Sequence, residues 1–252
     1  MAALVLVLVV APIIGSFLGV LVRRLPAGGD VVSSRSACES CGRELAVRDL
    51  VPVISFAALR GACRQCGAAI PPMHLWIELA AMAVAGWVAL SAEGPEIWLG
   101  CILGWTLLAL AWIDWLHFRL PDVLTLPLLL AGLAATAWGA PDLVAGHALA
   151  AAAGYIGFRA VALGYRAVRG WDGLGAGDAK LLAAGGAWLG LDLLPMAVLL
   201  AALLGLALGL AQAARAGRLS GTAAIPFGPP LALAIWLLWL YARDASAGPM
   251  LQ

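Results

Sequence analysis

The chain has 252 residues, of which 63% are hydrophobic and only 12% are charged, and its mean hydropathy is +0.99. A soluble globular domain typically has about 25% charged residues, so this composition excludes a soluble globular protein and predicts a polytopic membrane protein. The net charge of +1, with no basic stripe in the sequence, excludes nucleic acid as a partner.

Apolar stretches recur along the whole chain at lengths that suit membrane helices, which need about 17–25 residues to cross a bilayer. Eight segments are predicted to span it: Ala2–Val22, Met73–Leu90, Ile97–Ile113, Val123–Trp138, Leu143–Leu163, Ala179–Leu189, Pro195–Ala213 and Gly228–Ala242. The predicted fold is therefore an all-α polytopic bundle of about eight transmembrane helices in a lipid bilayer.

One long polar insert interrupts this pattern and divides the chain into three predicted parts. Residues 1–22 form the first transmembrane helix, residues 23–72 a cytoplasmic insert, and residues 73–252 the remaining transmembrane bundle. No basic region precedes the first apolar run, and Arg23 and Arg24 follow it, which favours a retained span over a cleaved signal peptide.

The basic residues predict the orientation, because loops rich in arginine and lysine stay in the cytoplasm. Alternate loops contain Arg23, Arg24, Arg35, Arg43, Arg48, Arg60, Arg64, Arg119, Arg166, Arg169, Lys180, Arg215 and Arg218. The opposite loops are short and acidic. The insert is therefore expected to face the cytoplasm, with both termini outside.

The insert contains two Cys-x2-Cys pairs separated by 21 residues: Cys38, Cys41, Cys63 and Cys66. This spacing is close to that of a four-cysteine zinc ribbon. Gly42 and Gly67, directly after each pair, permit the positive-φ backbone that such metal knuckles use. Two disulfides are the alternative, which a reducing cytoplasm disfavours. We predict a structural zinc site, because four thiolates leave no open position for catalysis.

Two aspartates lie at the ends of apolar segments, where a charged side chain is energetically unfavourable. Asp114 closes an apolar run, and Asp178 follows Gly175 and Gly177 at the start of another. A charge at the bilayer centre costs about 2.5–3.5 kcal/mol, so an acid near the hydrocarbon region indicates function. Two carboxyl groups that meet across a helix bundle would suit shared-proton acid/base chemistry. The flanking glycines would let a substrate backbone come close.

Each acid also has a structural interpretation. Asp114 could pair with Arg119 or His117, and Asp178 with Lys180. Asp122 follows Leu120-Pro121, which breaks one helix before another begins.

Asp122 therefore suits the first turn of a helix, where the helix dipole favours an acid, or a supporting role in the site. Glu78, about one turn into the second span, either pairs with an arginine of the insert or supports the site.

The whole series of motifs resembles that of the prepilin peptidase family, the type IV prepilin leader peptidases. The motifs are Gly15-Ser16-Phe17-Leu18, the two cysteine pairs, Leu50-Val51-Pro52-Val53-Ile54-Ser55-Phe56, Ile113-Asp114 with Leu120-Pro121-Asp122, Gly175-Ala176-Gly177-Asp178-Ala179-Lys180-Leu181-Leu182, and Ile225-Pro226-Phe227-Gly228-Pro229. Their order covers nearly the whole chain.

The resemblance implies a membrane aspartyl protease of the bacterial inner membrane. Such an enzyme removes the basic leader of prepilins or pseudopilins at the cytoplasmic face. Asp114 and Asp178 would be catalytic, and the four cysteines would hold the metal where one is present. Many members of the family also methylate the new amino terminus with S-adenosylmethionine.

Two other classes remain as alternatives from the residues alone. A proton-coupled transporter would use the acids as a relay, but its acids would be scattered through the membrane depth. A non-catalytic scaffold would recruit a partner through the zinc ribbon and would tolerate loss of either aspartate.

Overall fold

The computed structural model describes residues 2–31, 35–170, 173–216 and 225–241. These residues form eight α-helices and three short 3₁₀ helices, and no strand ladder is found among them. The chain divides into two compact units, Met1–Ala109 and Leu110–Gln252. The all-α class predicted from the composition is confirmed.

The first unit is built on two long helices, α1 (Ala2–Arg24) and α3 (Met73–Ser91), which pack against each other. The two helices lie close together at Gly15, because a Cβ added there would lie 2.6 Å from the Cα of Glu78. Small residues permit this kind of contact between membrane helices. Glu78 is therefore held close to the backbone of α1.

The insert of the first unit has little regular structure apart from the short helix α2 (Ile54–Ala58). Two isolated antiparallel bridges, Ala37 with Glu44 and Ala62 with Ala69, each close a tight turn around one cysteine pair. After the insert and α3, the helix α4 (Glu96–His117) begins.

The second unit is organised around α7 (Ala176–Ala216), against which α5 (Asp122–Gly139), α6 (Val144–Arg169) and α8 (Gly228–Tyr241) all pack. The first half of α7 is buried almost without interruption. It is therefore the central helix of this unit, and the residues at its amino-terminal end are fixed on several sides.

A kink at Gly190 divides α7 into two helical segments, since its backbone there has φ 75° and ψ −179°. The ring of His147 lies against this glycine, and its Nδ1–H donates to the carbonyl oxygen of Ala187 at 2.9 Å. The sixth and seventh predicted spans are the two segments of this one kinked helix.

Six of the helices, α1 and α3 to α7, are long and apolar enough to cross a membrane. The helix α8, with 14 residues, is shorter. Each of the eight predicted spans is helical where it is described. The predicted end of the last span, Ala242, and the loop residue Arg218 lie outside the described residues.

Candidate functional site

Asp114 lies in the last turn of α4 and is only 6% exposed. Its Oδ2 accepts a hydrogen bond from the backbone N–H of Gly228, the first residue of α8, at 2.9 Å. A Cβ at position 228 would lie 2.6 Å from the same oxygen, which is closer than carbon atoms of real side chains approach. A glycine is therefore needed for α8 to begin directly against the carboxyl group.

Asp178 occupies the first turn of α7 and is 7% exposed. Its Oδ2 accepts the backbone N–H of Gly175 at 3.1 Å, which holds the carboxyl group against the turn that precedes the helix. The Asp178 and Asp114 side chains are within electrostatic range of each other. They are the two buried charged side chains of the second unit in its described part.

Two further contacts join the segment after α4 to the start of α7. A Cβ at Gly177 would lie 2.9 Å from the Cβ of Leu120, so the two backbones meet closely. Lys180 Nζ donates to Asp122 Oδ1 at 2.5 Å. The ion pair is partly exposed, so its contribution to stability is small; its effect is to fix the relative position of the two segments.

The ion pairs considered as structural alternatives for the two aspartates are not found among the described residues. Lys180 pairs with Asp122 rather than with Asp178. The hydrogen-bond partner of Asp114 is the Gly228 amide, and no ion pair links it to Arg119 or His117 among the described side chains. Backbone amides, not cations, stabilise both carboxyl groups.

The cysteine pairs of the first unit form two equivalent knuckles. Gly42 N–H donates to the Cys38 carbonyl at 2.8 Å, and Gly67 N–H donates to the Cys63 carbonyl at 3.0 Å. Both glycines have the expected positive φ, 70° and 69°. The expected backbone conformation after each pair is confirmed.

The positions of the four sulfur atoms suit one metal ion. All four Sγ atoms lie within 4.8 Å of one another, and the Cys38 and Cys66 sulfurs are 3.8 Å apart. In a tetrahedral zinc site with bonds of about 2.3 Å, ligand sulfurs are separated by about 3.8 Å. All four cysteines are free thiols in the structure, so the arrangement fits a four-thiolate metal site.

The backbone of the knuckles favours the thiolate form, which is the form that binds metal. Amide hydrogen bonds from Cys66 and Gln65 lower the pKa of the Cys63 thiol to about 6. Amides of Cys41 and Ser40 likewise lower the pKa of the Cys38 thiol. The turns therefore favour the thiolate form at Cys38 and Cys63.

Glu78 is the third buried carboxyl group of the described chain, and it lies in α3 of the first unit. The Val53 backbone N–H donates to its Oε2 at 2.7 Å. The predicted ion pair with an arginine of the insert is not found in the described residues. The insert supplies a backbone amide to Glu78 instead of a cation.

Two families match consecutive parts of the chain. Residues 9–92 match the Bacterial Peptidase A24 N-terminal domain, and residues 101–210 match the Type IV leader peptidase family. The first range contains the four cysteines and Glu78, and the second contains both aspartates. No solved structure matches the chain.

Several curated proteins named prepilin leader peptidase/N-methyltransferase are similar to this chain. One from Burkholderia pseudomallei is 43% identical over 210 residues, which cover 82% of this chain and 67% of the relative. One from Pseudomonas aeruginosa is 37% identical, covering 90% and 87%. One from Stutzerimonas stutzeri is 35% identical, covering 95% and 91%. The chain belongs to the type IV leader peptidase family.

The sequence of this leader peptidase predicted a role for both aspartates but none for Gly228. The signal was present in Phe227-Gly228-Pro229, where a glycine directly precedes a proline at the start of an apolar helix. Pro229 suits the first turn of a helix, and the glycine before it gives Asp114 its amide. Only the folded chain shows that this helix start meets α4.

We expect the purified leader peptidase chain to contain about one thiophilic divalent metal ion per molecule, because four sulfurs in this arrangement satisfy one tetrahedral ion. Replacing one ligand, Cys63→Ser, is expected to remove most of the bound metal. Elemental analysis of detergent-purified protein measures both quantities. The control is Cys101→Ser, which changes a buried cysteine outside the cluster; equal metal content in all three proteins would contradict the assignment.

Proposed function

We propose that this chain is a membrane aspartyl endopeptidase that removes the basic leader peptide from type IV prepilins or pseudopilins. The observation that carries the proposal is the pair of buried carboxyl groups, Asp114 and Asp178, within electrostatic range of each other. Family membership and the names of the relatives support the substrate class.

The proposed chemistry uses one proton shared by the two aspartates, because two adjacent carboxyl groups in an apolar environment do not both ionise cheaply. The ionised carboxylate takes a proton from water as the water oxygen attacks the scissile carbonyl carbon. The protonated carboxyl group donates its proton to the carbonyl oxygen. The proton taken from water is then delivered to the leaving amine as the C–N bond breaks, and a hydroxyl proton of the tetrahedral intermediate returns to the other carboxylate, which restores the shared proton.

The backbone amides orient the carboxyl groups for this role. Gly228 and Gly175 each donate to an Oδ2 atom, which leaves each Oδ1 without a hydrogen-bond partner in the described part of the chain. One oxygen of each aspartate is thus fixed, and the other is available to water or substrate. Such prior orientation lowers the barrier of the reaction.

We assign supporting roles to the residues around the pair. Gly177 lets the start of α7 contact Leu120, and the Lys180–Asp122 ion pair holds the same two segments together. Gly175 supplies the amide for Asp178. These four residues set where Asp178 lies relative to Asp114 without touching the substrate in this scheme.

We further propose a second activity, N-methylation of the newly exposed amino terminus with S-adenosylmethionine. Its support is that the relatives carry both activities in their names. The four cysteines would hold zinc as a structural ion within the insert, residues 23–72.

The first test of the peptidase is substitution of either aspartate. Asp114→Asn or Asp178→Asn should slow leader removal by roughly 10²–10⁴-fold or more, since each removes one partner of the proton transfer. Co-expression with a prepilin, followed by mass spectrometry of the product's amino terminus, measures the loss. Asp192→Asn changes an exposed acid of α7 and should leave cleavage intact. Normal processing by either catalytic variant would refute the assignment and favour a scaffold.

A second test concerns the amide that orients Asp114. Gly228→Ala should lower kcat for leader removal by about 10²-fold, because its Cβ displaces the carboxyl group by a few tenths of an ångström or more. The KM for prepilin should change little. The matched control is Gly205→Ala, whose Cβ would lie 3.7 Å from the Phe227 ring, an ordinary contact. Equal rates for the two variants would show that the amide contact is dispensable.

We propose that the protein lies in the bacterial inner membrane with the insert in the cytoplasm, as the distribution of basic residues indicates. Val47→Cys in the insert and Glu93→Cys after α3 place thiols at exposed positions. In intact cells a membrane-impermeant maleimide should label Glu93→Cys above the parent protein but not Val47→Cys. In inverted vesicles the result should be the opposite; labelling of Val47→Cys in intact cells would reverse the orientation.

A further inference from the structure

The first segment of α7, residues 176–190, has Asp178 near its beginning and a break in the helix at its end. At the break, Gly190 combines φ 75° with ψ −179°, a backbone conformation that is essentially restricted to glycine. Side chains and backbone groups of three other helices contact the segment just before this break. The proposed proteolysis uses none of these contacts.

His147 of α6 gives a hydrogen bond to the end of the segment. Its Nδ1 lies 2.9 Å from the Ala187 carbonyl oxygen and 3.2 Å from the Thr136 hydroxyl oxygen. A carbonyl oxygen only accepts, so Nδ1 has the proton and donates. The Thr136 hydroxyl in turn donates to the Gly132 carbonyl oxygen at 3.0 Å. His147 therefore joins α5, α6 and α7 at one point.

The Ala187 carbonyl needs such a donor because it lies three residues before the break. The last four carbonyl groups of a helical segment lack regular partners within it, and an unpaired carbonyl in an apolar bundle costs free energy. The imidazole ring also packs on the break itself, since a Cβ added at Gly190 would lie 3.1 Å from His147 Nε2. One side chain thus satisfies the end of the segment and fills the space beside it.

Trp188, the next residue of the segment, makes a second hydrogen bond to a neighbouring helix. Its indole N–H donates to the Leu128 carbonyl oxygen of α5 at 2.8 Å, and a Cβ at Gly132 would lie 2.7 Å from its ring. The same ring packs edge-on against Trp239 of α8, with the ring centroids 6.0 Å apart. The end of the first segment is therefore held by α5, α6 and α8.

The part of α7 before these contacts presents small residues to its neighbours. Residues 183–187 read Ala-Ala-Gly-Gly-Ala. A Cβ at Gly186 would lie 2.6 Å from the Ala150 carbonyl group, and one at Gly154 would lie 3.1 Å from the Leu182 carbonyl oxygen. Small residues let membrane helices approach closely, but they form shallow ridges that interlock little along the helix axis. The axial position of the segment therefore depends on the contacts at its two ends.

At the other end, the ion pair of Lys180 with Asp122 is partly exposed, and such pairs contribute little free energy. Ala187 follows Asp178 by nine residues, which is about 14 Å along the helix axis. A helix is stiff along its axis, so an axial shift at Ala187 moves Asp178 as well.

We propose that His147 and Trp188 are positioning residues of the peptidase. Their hydrogen bonds set the axial position of the first segment of α7, and with it the position of Asp178 relative to Asp114. The inference rests on the proposed proteolysis by these two aspartates, and it adds a determinant of the reaction at the opposite end of the segment. A displacement of about 1 Å in a catalytic group can lower a rate by about 10²-fold.

The test is the kinetics of leader removal by detergent-purified variants acting on a purified prepilin. His147→Phe keeps an aromatic ring beside Gly190 but removes the donor, and it should lower kcat by about tenfold or more. The KM for the prepilin should change by less than about twofold, because the substrate contacts are unaltered. His147→Asn places an amide N–H near the position of Nδ1 and should restore most of kcat.

Further variants separate positioning from a folding defect. Trp188→Phe removes the indole N–H but keeps an aromatic ring against Trp239, so it should lower kcat in the same way, and it supplies the test if His147→Phe does not fold. Tyr155→Phe removes a hydroxyl group from an exposed position of α6 and should leave kcat and KM unchanged. Thermal unfolding of each purified variant shows whether it is folded.

A double-mutant cycle tests whether the two ends of the segment act together. Asp122→Asn removes the partner of Lys180 and by itself should have a small effect, since the ion pair is partly exposed. Combined with His147→Phe, it should lower kcat by more than the product of the two single effects, because the segment is then held firmly at neither end.

The outcomes distinguish this inference from the peptidase assignment. Parent kcat in folded His147→Phe or Trp188→Phe, no recovery in His147→Asn, or purely multiplicative effects in the cycle would overturn the positioning role. If Asp178→Asn is inactive in the same assay, the peptidase assignment stands in each of these cases. Undiminished cleavage by Asp178→Asn would refute the peptidase assignment and the positioning role together.

Discussion

A carboxyl group buried in an apolar helix bundle must find hydrogen-bond donors, and in this protein backbone amides supply them. Gly228 gives its N–H to Asp114, and Gly175 gives its N–H to Asp178. Both amides belong to segments that lead into a helix, where N–H groups have no partner within the helix. The aspartates thereby satisfy amides that would otherwise be unpaired, and the amides fix the carboxyl groups without neutralising them as a salt bridge would. The acid/base chemistry that we propose for this pair depends on that combination.

In the first unit, Glu78 is likewise a buried carboxyl group that accepts a hydrogen bond from a backbone amide. The Val53 amide reaches this carboxylate only because the insert turns through an unfavourable backbone conformation at that residue. The insert has few helical residues of its own, so its shape depends on the two cysteine knuckles and on contacts with α1 and α3. A metal ion in the knuckles would supply order that so small an apolar core does not. The cysteine knuckles, the insert and the buried carboxyl group are therefore structurally connected within the first unit.

The contrast between expected and observed partners is informative. The structural alternatives drawn from the sequence were Lys180 as the partner of Asp178 and an arginine of the insert as the partner of Glu78, since charged neighbours are visible in the sequence. The structure pairs Lys180 with Asp122, 58 positions away, and gives both carboxyl groups backbone donors. A hydrogen bond from a backbone amide does not depend on which side chain the donor residue has, so the sequence does not reveal it unless the donor must be a glycine. That is why Gly228 carried a signal and Val53 carried none.

The sequence by itself determined the membrane class, the helical segments, the cysteine cluster and the choice of Asp114 and Asp178, since hydropathy, spacing and the cost of buried charge are local properties. Only the tertiary structure decided that the start of α8 meets Asp114, that Lys180 reaches Asp122, and that His147 reaches Ala187. These contacts join segments far apart in the chain, and the same local patterns are compatible with many other helix arrangements.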